Sequence, residues 1–315
     1  MRAAPWLARR GRQLGTLVGL CLLSGLLSVL SPHFLSVSNL RNVLEQTAIN
    51  AVVAVGMTFV IVSGGIDLSA GSIVALSTVV IARLLRADAS PALAALAGVA
   101  AGALCGCVTG LLVTRLRVVP FIVTLGMMLL VRGAAKGLAE ERRIEAPATW
   151  LNGLLRSTAG GSGFIVPSGV WLTVLLAVAI ALLLRYTRFG RHLFAVGSSE
   201  RTARLCGVPV DRVKVAVYAL AAAITGLAGV LQFAKLSVGD PTVADGLELN
   251  VIAAVIIGGG SLLGGKGTVL GTVLGATIMA VIQIGCSQRG LPNWVQQIVT
   301  GGIIVLAVAL DRWRN

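Results

Sequence analysis

The chain has 315 residues, of which 56% are hydrophobic and only 12% are charged, and its mean hydropathy is +0.92. Soluble domains carry about 25% charged residues, so this composition excludes a soluble protein and predicts an all-α polytopic membrane protein. The net charge of +14 does not indicate nucleic-acid binding. The basic residues stand in short segments between apolar runs, where they orient the chain in the membrane and contact anionic lipid headgroups.

Apolar runs long enough for membrane helices follow one another along the chain. They predict about ten crossings, at residues 14–30, 39–62, 73–85, 92–113, 119–138, 170–184, 213–233, 248–257, 269–284 and 294–310. The first run follows four arginines, but it is longer than the apolar core of a signal peptide and has no small-residue cleavage site after it. We therefore expect a single membrane domain, residues 14–310, between cytoplasmic tails at residues 1–13 and 311–315.

The segment Arg185–Lys214 separates two blocks of apolar runs and is called the platform below. It carries seven of the 26 Lys and Arg residues, which places it on the cytoplasmic side. Ser198 or Ser199 can cap a short helix over about Glu200–Cys206. The alternative interpretation is a solvated connecting loop, because short capped helices also occur in such loops.

The first Gly-rich break, residues 63–72, interrupts the apolar sequence with a Gly-Gly pair, one acid and three serines. Irregular backbone at membrane depth is tolerated where it packs in protein or lines a cavity. Asp67 is therefore a candidate functional residue, because an ionisable group at such a place is costly. It is equally a candidate cap for the helix that begins near Ser69, and the two roles are compatible. The other residues of interest in this break are Gly64, Gly65 and Gly71.

The second Gly-rich break, residues 258–267, follows the short apolar run Glu248–Ile257. By the predicted topology, both breaks lie on the same side of the membrane. Paired interrupted segments in two halves of a chain indicate a substrate path between them. The candidate path residues here are Glu248, Asn250, Gly259, Gly264 and Gly265.

Two polar segments, residues 139–168 and 237–247, are predicted to be loops on the outer face. The first contains a Gly-rich patch at 160–163, and its charges nearly cancel. The second contains Asp240, Pro241 and Asp245.

No enzyme signature stands out in the chain. The five cysteines show neither a disulfide framework nor a metal-binding spacing, and the two histidines are far apart. No Gly-x-x-x-x-Gly-Lys-Ser/Thr loop for nucleotide phosphates is present. The sequence therefore predicts no catalytic residue, no metal and no cofactor of its own.

Three stretches together resemble one family. They are Val55–Ser72 (VGMTFVIVSGGIDLSAGS), the platform pieces Thr187–Arg191, Ala195–Gly197 and Glu200–Gly207, and Glu248–Gly267 (ELNVIAAVIIGGGSLLGGKG). Their residues, order and spacing resemble those of the membrane permease of ribose-type ABC sugar importers. The similarity extends from about Asn39 to Leu310.

This resemblance implies a subunit of a bacterial inner-membrane importer for a monosaccharide or a related solute. Two permease chains, identical or paralogous, would form one path. Two separate ATPase subunits would bind ATP and magnesium, and a periplasmic or lipid-anchored sugar-binding protein would deliver the solute. The platform helix would be the coupling helix that docks on the ATPase, and the coupling residues would be Gly190, Gly197, Glu200, Ala203, Arg204 and Gly207.

The chain departs from the family pattern at several positions. Ser198-Ser199 replaces a usual Gly-Asn, Leu247 and Asn250 stand where Tyr and Asp are common, and Gly260 replaces Thr or Ser. In the outer loop, Glu140-Glu141 replaces a Gly-Gly-like turn. Related permeases carry ribose, xylose, galactose, rhamnose or the autoinducer-2 signal, and these residues do not choose among them.

A second class of function is an ion-coupled secondary transporter. In that class, Asp67 or Glu248 would serve as a proton or cation site. Uptake driven by a pH gradient would distinguish it from an ATP-driven importer.

Overall fold

The computed structural model describes residues 5–155 and 166–314, with side chains described for 14–155 and 166–309. Its helices are α1 (Pro5–Leu30), α2 (Val37–Val62), α3 (Ala70–Arg86), α4 (Pro91–Arg115), α5 (Pro120–Ala139), α6 (Ser168–Tyr186), α7 (Arg188–Ser198), α8 (Glu200–Leu205), α9 (Val210–Leu236), α10 (Leu247–Ile257), α11 (Val269–Gln288) and α12 (Asn293–Arg314). A two-residue strand β1 (Ile144–Glu145) pairs antiparallel with β2 (Val238–Gly239), and a 3₁₀ helix covers Trp150–Leu154. The protein is thus an all-helical membrane protein, as predicted. The Gly-rich patch at 160–163 lies outside the described residues.

Helix α2 is the centre of the bundle. From Ala48 to Val62 every residue is buried, and α9, α10, α11 and α6 pack around it. From Ala51 to Val62 the helix is apolar on all sides except at Thr58, which is typical of a helix surrounded by protein. A 2.8 Å hydrogen bond between the Thr58 and Thr272 hydroxyls joins α2 to α11 inside the bundle.

The closest helix pair in the bundle is α4 with α9. Glycines recur at every fourth position of α4, at residues 98, 102, 106 and 110, and so lie on one face. A Cβ on Gly102 would lie 2.5 Å from the Ala222 carbonyl oxygen and 3.1 Å from the Gly226 Cα. The glycines therefore allow backbone-to-backbone approach, which is how membrane helices gain packing contacts without a hydrophobic driving force.

Fewer helices can cross a bilayer unaided than the ten that the sequence predicts. Of the described helices, six are long and apolar enough, namely α2, α4, α5, α6, α9 and α11. With 17 residues α3 is about 26 Å long, and with 11 residues α10 is about 17 Å long, against a hydrocarbon core of about 30 Å. These two helices adjoin the two Gly-rich breaks.

The predicted outer loop at 237–247 lies only partly on the surface. Thr242 and Asp245 are exposed, whereas Gly239–Pro241 are buried where the segment runs along α3. A Cβ on Gly239 would meet Ala82, the Asp240 N–H donates to the Thr78 hydroxyl at 3.2 Å, and the Ala244 carbonyl lies against Gly71. The sequence did not indicate this packing, in which the polar segment finds hydrogen-bond partners on α3, as buried irregular backbone must.

The first and last helices are longer than the apolar runs that predicted them. Helix α1 begins at Pro5 and α12 continues through Arg314, so each helix extends into a predicted tail. The platform contains the additional 11-residue helix α7. Its sequence has one strongly apolar side, formed by Leu193 and Val196, which is buried against the bundle.

Candidate functional site

The platform folds into two capped helices, which agrees with the predicted short helix. The Thr187 hydroxyl accepts a hydrogen bond from the Gly190 N–H at 3.2 Å and caps α7. The Ser199 hydroxyl accepts from the Thr202 N–H at 3.2 Å and caps α8, which ends one residue before the predicted Cys206. Gly207, with φ of +79°, then turns the chain into α9, a conformation that glycine adopts without steric cost.

Ion pairs join α8 to the start of α9. Glu200 pairs with Lys214 at 2.6 Å and with Arg204 at 3.4 Å, and Arg204 also pairs with Asp211 at 3.0 Å. These pairs are mostly exposed, so they add little to the free energy of unfolding. The ion pairs instead fix the orientation of α8 relative to α9. On the side of α8 that faces the bundle, Ala203 is buried.

Gly197, near the end of α7, lies where the platform meets the end of α2 and the second Gly-rich break. A Cβ there would overlap the Val62 carbonyl oxygen at the end of α2 and would lie 2.7 Å from the Gly265 nitrogen. The Gly265 N–H in turn donates to that Val62 oxygen at 2.9 Å. Three separate segments therefore touch through their backbones, and we call this contact the junction.

In the second break, glycines with a left-handed backbone turn the chain towards the junction. Gly259, Gly264 and Gly265 have φ values of +90°, +85° and +69°. A Cβ on Gly264 would lie 2.6 Å from the Gly197 carbonyl oxygen and 3.1 Å from the Gly64 Cα. Four predicted residues, Gly64, Gly197, Gly264 and Gly265, are thereby brought together. We call the end of the bundle that holds the junction the platform end, and the opposite end the far end.

The other predicted path residues lie deeper, where the N-termini of α3 and α10 meet. An Asp67 carboxylate oxygen accepts from the Ser69 N–H at 2.8 Å and from the Ser69 hydroxyl at 2.6 Å, just before α3 begins. The Glu248 carboxylate, in the first turn of α10, lies against Gly71. Both carboxylates thus stand at helix N-termini, where the helix dipoles favour negative charge.

Two predicted residues lie apart from these groups. Gly190 packs against the Leu184 carbonyl, where α6 turns into α7. Asn250 donates to the Gly246 carbonyl oxygen at 3.2 Å, and its own side-chain oxygen is buried without a partner among the described residues. Within the described part of the chain, no three acidic, His or Cys side chains are grouped to hold a metal.

Comparison with known proteins identifies the family. The family model described as "Branched-chain amino acid transport system / permease component" matches residues 39–308. The chain belongs to this permease family. No solved structure matches it.

Several characterised relatives cover nearly the whole permease. It is 40% identical to the ribose import permease protein RbsC of Escherichia coli K12 over 296 residues, which are 94% of this chain and 92% of that one. It is 37% identical to the L-arabinose ABC transporter permease protein AraH of Azospirillum brasilense, covering 99% and 92%. It is 35% identical to the fructose import permease protein FrcC of Rhizobium meliloti, covering 90% and 81%. The predicted class, a transport subunit and not an enzyme, agrees with these relatives.

The permease also has a cleft at the platform end that the sequence did not indicate. Its volume is about 550 Å³, and it opens between the α4–α5 turn and the ion pairs of α8 and α9. Arg117 and Val119 form one wall, and Glu200 and Lys214 form the other. The sequence could not indicate the cleft, because these walls are about 85 residues apart in the chain.

At the far end, side chains join the helices of the permease. Lys235 of α9 donates to Gln46 of α2 at 2.8 Å, Gln46 to Asn50 at 3.1 Å, and Asn50 to Gln283 of α11 at 3.3 Å. Near the surface, Arg143 pairs with Asp240 at 2.8 Å. Burial alone would raise the pKa of Asp240, but hydrogen bonds from Thr242 and the charge of Arg143 outweigh it, so this pKa lies below its ordinary value.

Proposed function

We propose that this permease is the membrane subunit of an ATP-driven bacterial importer for a monosaccharide. Two copies, or one copy and a paralogue, form the path across the inner membrane. An ATPase pair binds ATP and magnesium at the platform end, and a sugar-binding protein delivers the solute at the far end. The printed names of the relatives support the sugar class, because they include ribose, L-arabinose and fructose permeases.

One observation carries the proposed coupling: Gly197 touches both the end of α2, at Val62, and the second Gly-rich break, at Gly265. Helix α8 stands exposed beside it, held to α9 by its ion pairs. A push on α8 by the ATPase therefore reaches α2 and α11 through direct backbone contact. No soft side chain lies between these segments to absorb the movement, since glycines form the contact.

The proposal includes ten membrane crossings with both termini on the cytoplasmic side. The helices alternate in direction along the chain, and α1, α3, α10 and α12 supply the four crossings beyond the six long ones. Helices α3 and α10 cross together with the irregular segments before them. This matches the discontinuous helices at which transporters place their substrate sites.

We assign the path in the middle of the bundle to the meeting point of the α3 and α10 N-termini. Asp67 and Ser69 hold the start of α3, and Glu248 lies over Gly71. The hydrogen bonds of Asp67 fit a cap, so replacing Asp67 with Asn should reduce transport only modestly. A severe loss would instead assign the carboxylate to the path itself.

The deciding experiment is uptake by proteoliposomes that contain the complete importer. Radiolabelled D-ribose, L-arabinose and D-fructose are offered with ATP inside the vesicles, without ATP, or without the ATPase subunit. ATP-dependent uptake of at least one sugar is expected. Uptake that persists without ATP, or that follows a pH gradient, would instead favour an ion-coupled transporter.

Coupling is tested with Glu200→Ala, which removes the partner of both Lys214 and Arg204. We expect the variant importer to hydrolyse ATP but transport less sugar per ATP, because only the Arg204–Asp211 pair then holds α8 against α9. The control is Glu141→Ala, which removes an exposed carboxylate at the far end. Equal sugar-to-ATP ratios in the wild type and in Glu200→Ala would refute the coupling role.

A further inference from the structure

The cleft at the platform end adjoins a small recess in the interior of the bundle. The recess has a volume of about 20 Å³ and shares Val113, Pro120 and Lys214 with the cleft. Its inner wall is formed by Ser63–Gly65 of the first break and by Tyr218 of α9. These three shared residues are therefore all that separates the cleft from the residues that follow α2.

The hydroxyl of Tyr218 lies at this recess without a hydrogen-bond partner among the described residues. Tyr218 is only 1% exposed, and it is the largest fully buried side chain of the described core. A buried hydroxyl that lacks a partner destabilises the fold, and Phe would fill the same space without that cost. The presence of a tyrosine here therefore calls for a ligand that the hydroxyl meets.

Gly65 keeps the space beside this hydroxyl open. A Cβ on Gly65 would lie 2.5 Å from the Tyr218 oxygen and 3.2 Å from Val60 Cγ1. Unlike Gly64, Gly65 does not have a left-handed backbone, so its conformation does not require glycine. What requires glycine at position 65 is the room beside Tyr218.

The chemistry of the cleft favours a neutral, polyhydroxylated solute. Four charged residues of the cleft, Glu200, Arg204, Asp211 and Lys214, already pair with one another, so an ionic ligand would have to break these pairs. The fifth, Arg117, is exposed and has no ion pair among the described residues, so it is free to donate to a hydroxyl. Charged and amphiprotic side chains readily exchange hydrogen bonds with hydroxyl groups. Val118 and Val119 supply an apolar wall for the C–H face of a ring. A volume of about 550 Å³ is that of a small-molecule site.

We infer that the cleft and its recess are a sugar-binding subsite at the platform end, where the Tyr218 hydroxyl hydrogen-bonds a hydroxyl of the solute before release. The inference rests on the proposed import function. Because Glu200 and Arg204 of α8 form one wall, the width of the subsite follows the position of α8. Docking of the ATPase therefore opens or closes the place from which the solute leaves.

The first test is Tyr218→Phe in the complete importer, with Tyr186→Phe as the control, because Tyr186 is an exposed tyrosine at the end of α6. We expect Tyr218→Phe to melt at a higher temperature than the wild type and yet to have a maximal uptake rate about three- to tenfold lower. KM should stay unchanged, because the binding protein captures the solute at the far end. The control should match the wild type in every respect.

A purely structural tyrosine predicts a different result. The recess is also large enough for one ordered water molecule, which would satisfy the Tyr218 hydroxyl. In that case Tyr218→Phe transports at the wild-type rate whatever its melting temperature, and the inference is overturned. Failure of the wild type itself to take up D-ribose, L-arabinose or D-fructose with ATP would instead overturn the proposed function.

The second test fills the recess from the other side. Gly65→Ala adds a methyl group against the Tyr218 hydroxyl, so both stability and transport should fall. The double variant Gly65→Ala/Tyr218→Phe removes the clash. It should regain the wild-type melting temperature but not the wild-type uptake rate. Recovery of both properties would overturn the inference, because the recess would then matter only for packing.

Discussion

The two ends of the bundle are held together in different ways. At the platform end, Gly197 brings the backbones of three segments into contact, and no side chain separates them. At the far end, the helices are joined by a chain of side-chain hydrogen bonds through Gln46 and Asn50 and by the Arg143–Asp240 ion pair. Backbone contact transmits displacement directly, whereas long side chains absorb it. The platform end is therefore suited to transmitting movement between segments. The far end is suited to holding the helices together.

The comparison predicts the largest effect for Gly197→Ala. The added methyl group would overlap the Val62 carbonyl oxygen, and overpacking of this kind lowers the free energy of unfolding by about 1–3 kcal/mol. Thermal melting in detergent and the sugar-to-ATP ratio measure the loss of stability and of coupling. The control is Gly133→Ala on α5, where no described atom lies within 4 Å and the higher helix propensity of Ala should be neutral or stabilising by up to about 1 kcal/mol. Equal melting temperatures for Gly197→Ala and Gly133→Ala would contradict the claim that the platform end depends on close backbone contact at Gly197.

At the far end, Asn50→Leu should have a moderate effect. Asn50 is buried and connects Gln46 to Gln283, so its loss leaves the Gln46 Nε2 donor and the Gln283 Oε1 acceptor without these partners. Hydrogen bonds between membrane helices contribute about 0.6 kcal/mol on average, and a loss of about 0.5–2 kcal/mol is expected. Asn42→Leu is the control, because Asn42 is exposed on the same helix. A loss for Asn50→Leu as large as that for Gly197→Ala would contradict the comparison.

A smaller effect is expected from acidification, through Asp240. Because its folded pKa lies below the ordinary value, the stabilisation is fully present above about pH 3.9 and is lost as the pH falls through the folded pKa. Melting temperatures of the wild type and of Asp240→Asn should therefore converge as the pH falls below about 3.9 and through the folded pKa. Arg143→Gln should remove part of this pH dependence, since Thr242 still donates to the carboxylate. Parallel curves for the wild type and Asp240→Asn would count against the assignment.

The smallest effect concerns the turn after α5, where two non-glycine residues have a left-handed backbone. Glu140 and Glu141 have φ values of +52° and +57°, at the position where the family has a Gly-Gly-like turn. Glu141 is exposed, and its carboxylate has no ion pair among the described residues. Glu141→Gly should therefore stabilise the permease by up to about 1 kcal/mol. Glu145 lies in the extended strand β1, where Glu145→Gly should destabilise the permease instead. A lower melting temperature for Glu141→Gly than for Glu145→Gly would contradict this explanation.

Much of the architecture could be predicted from local pattern. Apolar runs give the approximate positions of the long helices, because a bilayer selects for length and hydropathy. Ser199, followed by Glu200 in the first helical turn, predicts α8, because capping depends on adjacent residues only.

Other features could not be predicted in this way. The segment at 238–247 is polar and has the composition of a surface loop, yet it lies along α3 because Thr78 and the glycines at 71 and 239 accommodate it. Tyr218 occupies an ordinary helical position among alanines. That its hydroxyl lacks a partner follows only from the tertiary packing, which brings Gly65, and not a polar side chain, against the ring.

By itself, the sequence determined that this is a helical membrane protein with two glycine-rich interruptions and a basic segment between its spans. These properties depend on composition and on neighbouring residues. Only the tertiary structure decided that the end of α2 and the second interruption meet the basic segment at Gly197 and that a cleft opens beside Glu200. Both depend on approaches between backbones that are more than 60 residues apart in the chain. A glycine in the sequence shows that another backbone can approach closely at that position. It does not show which segment of the chain approaches.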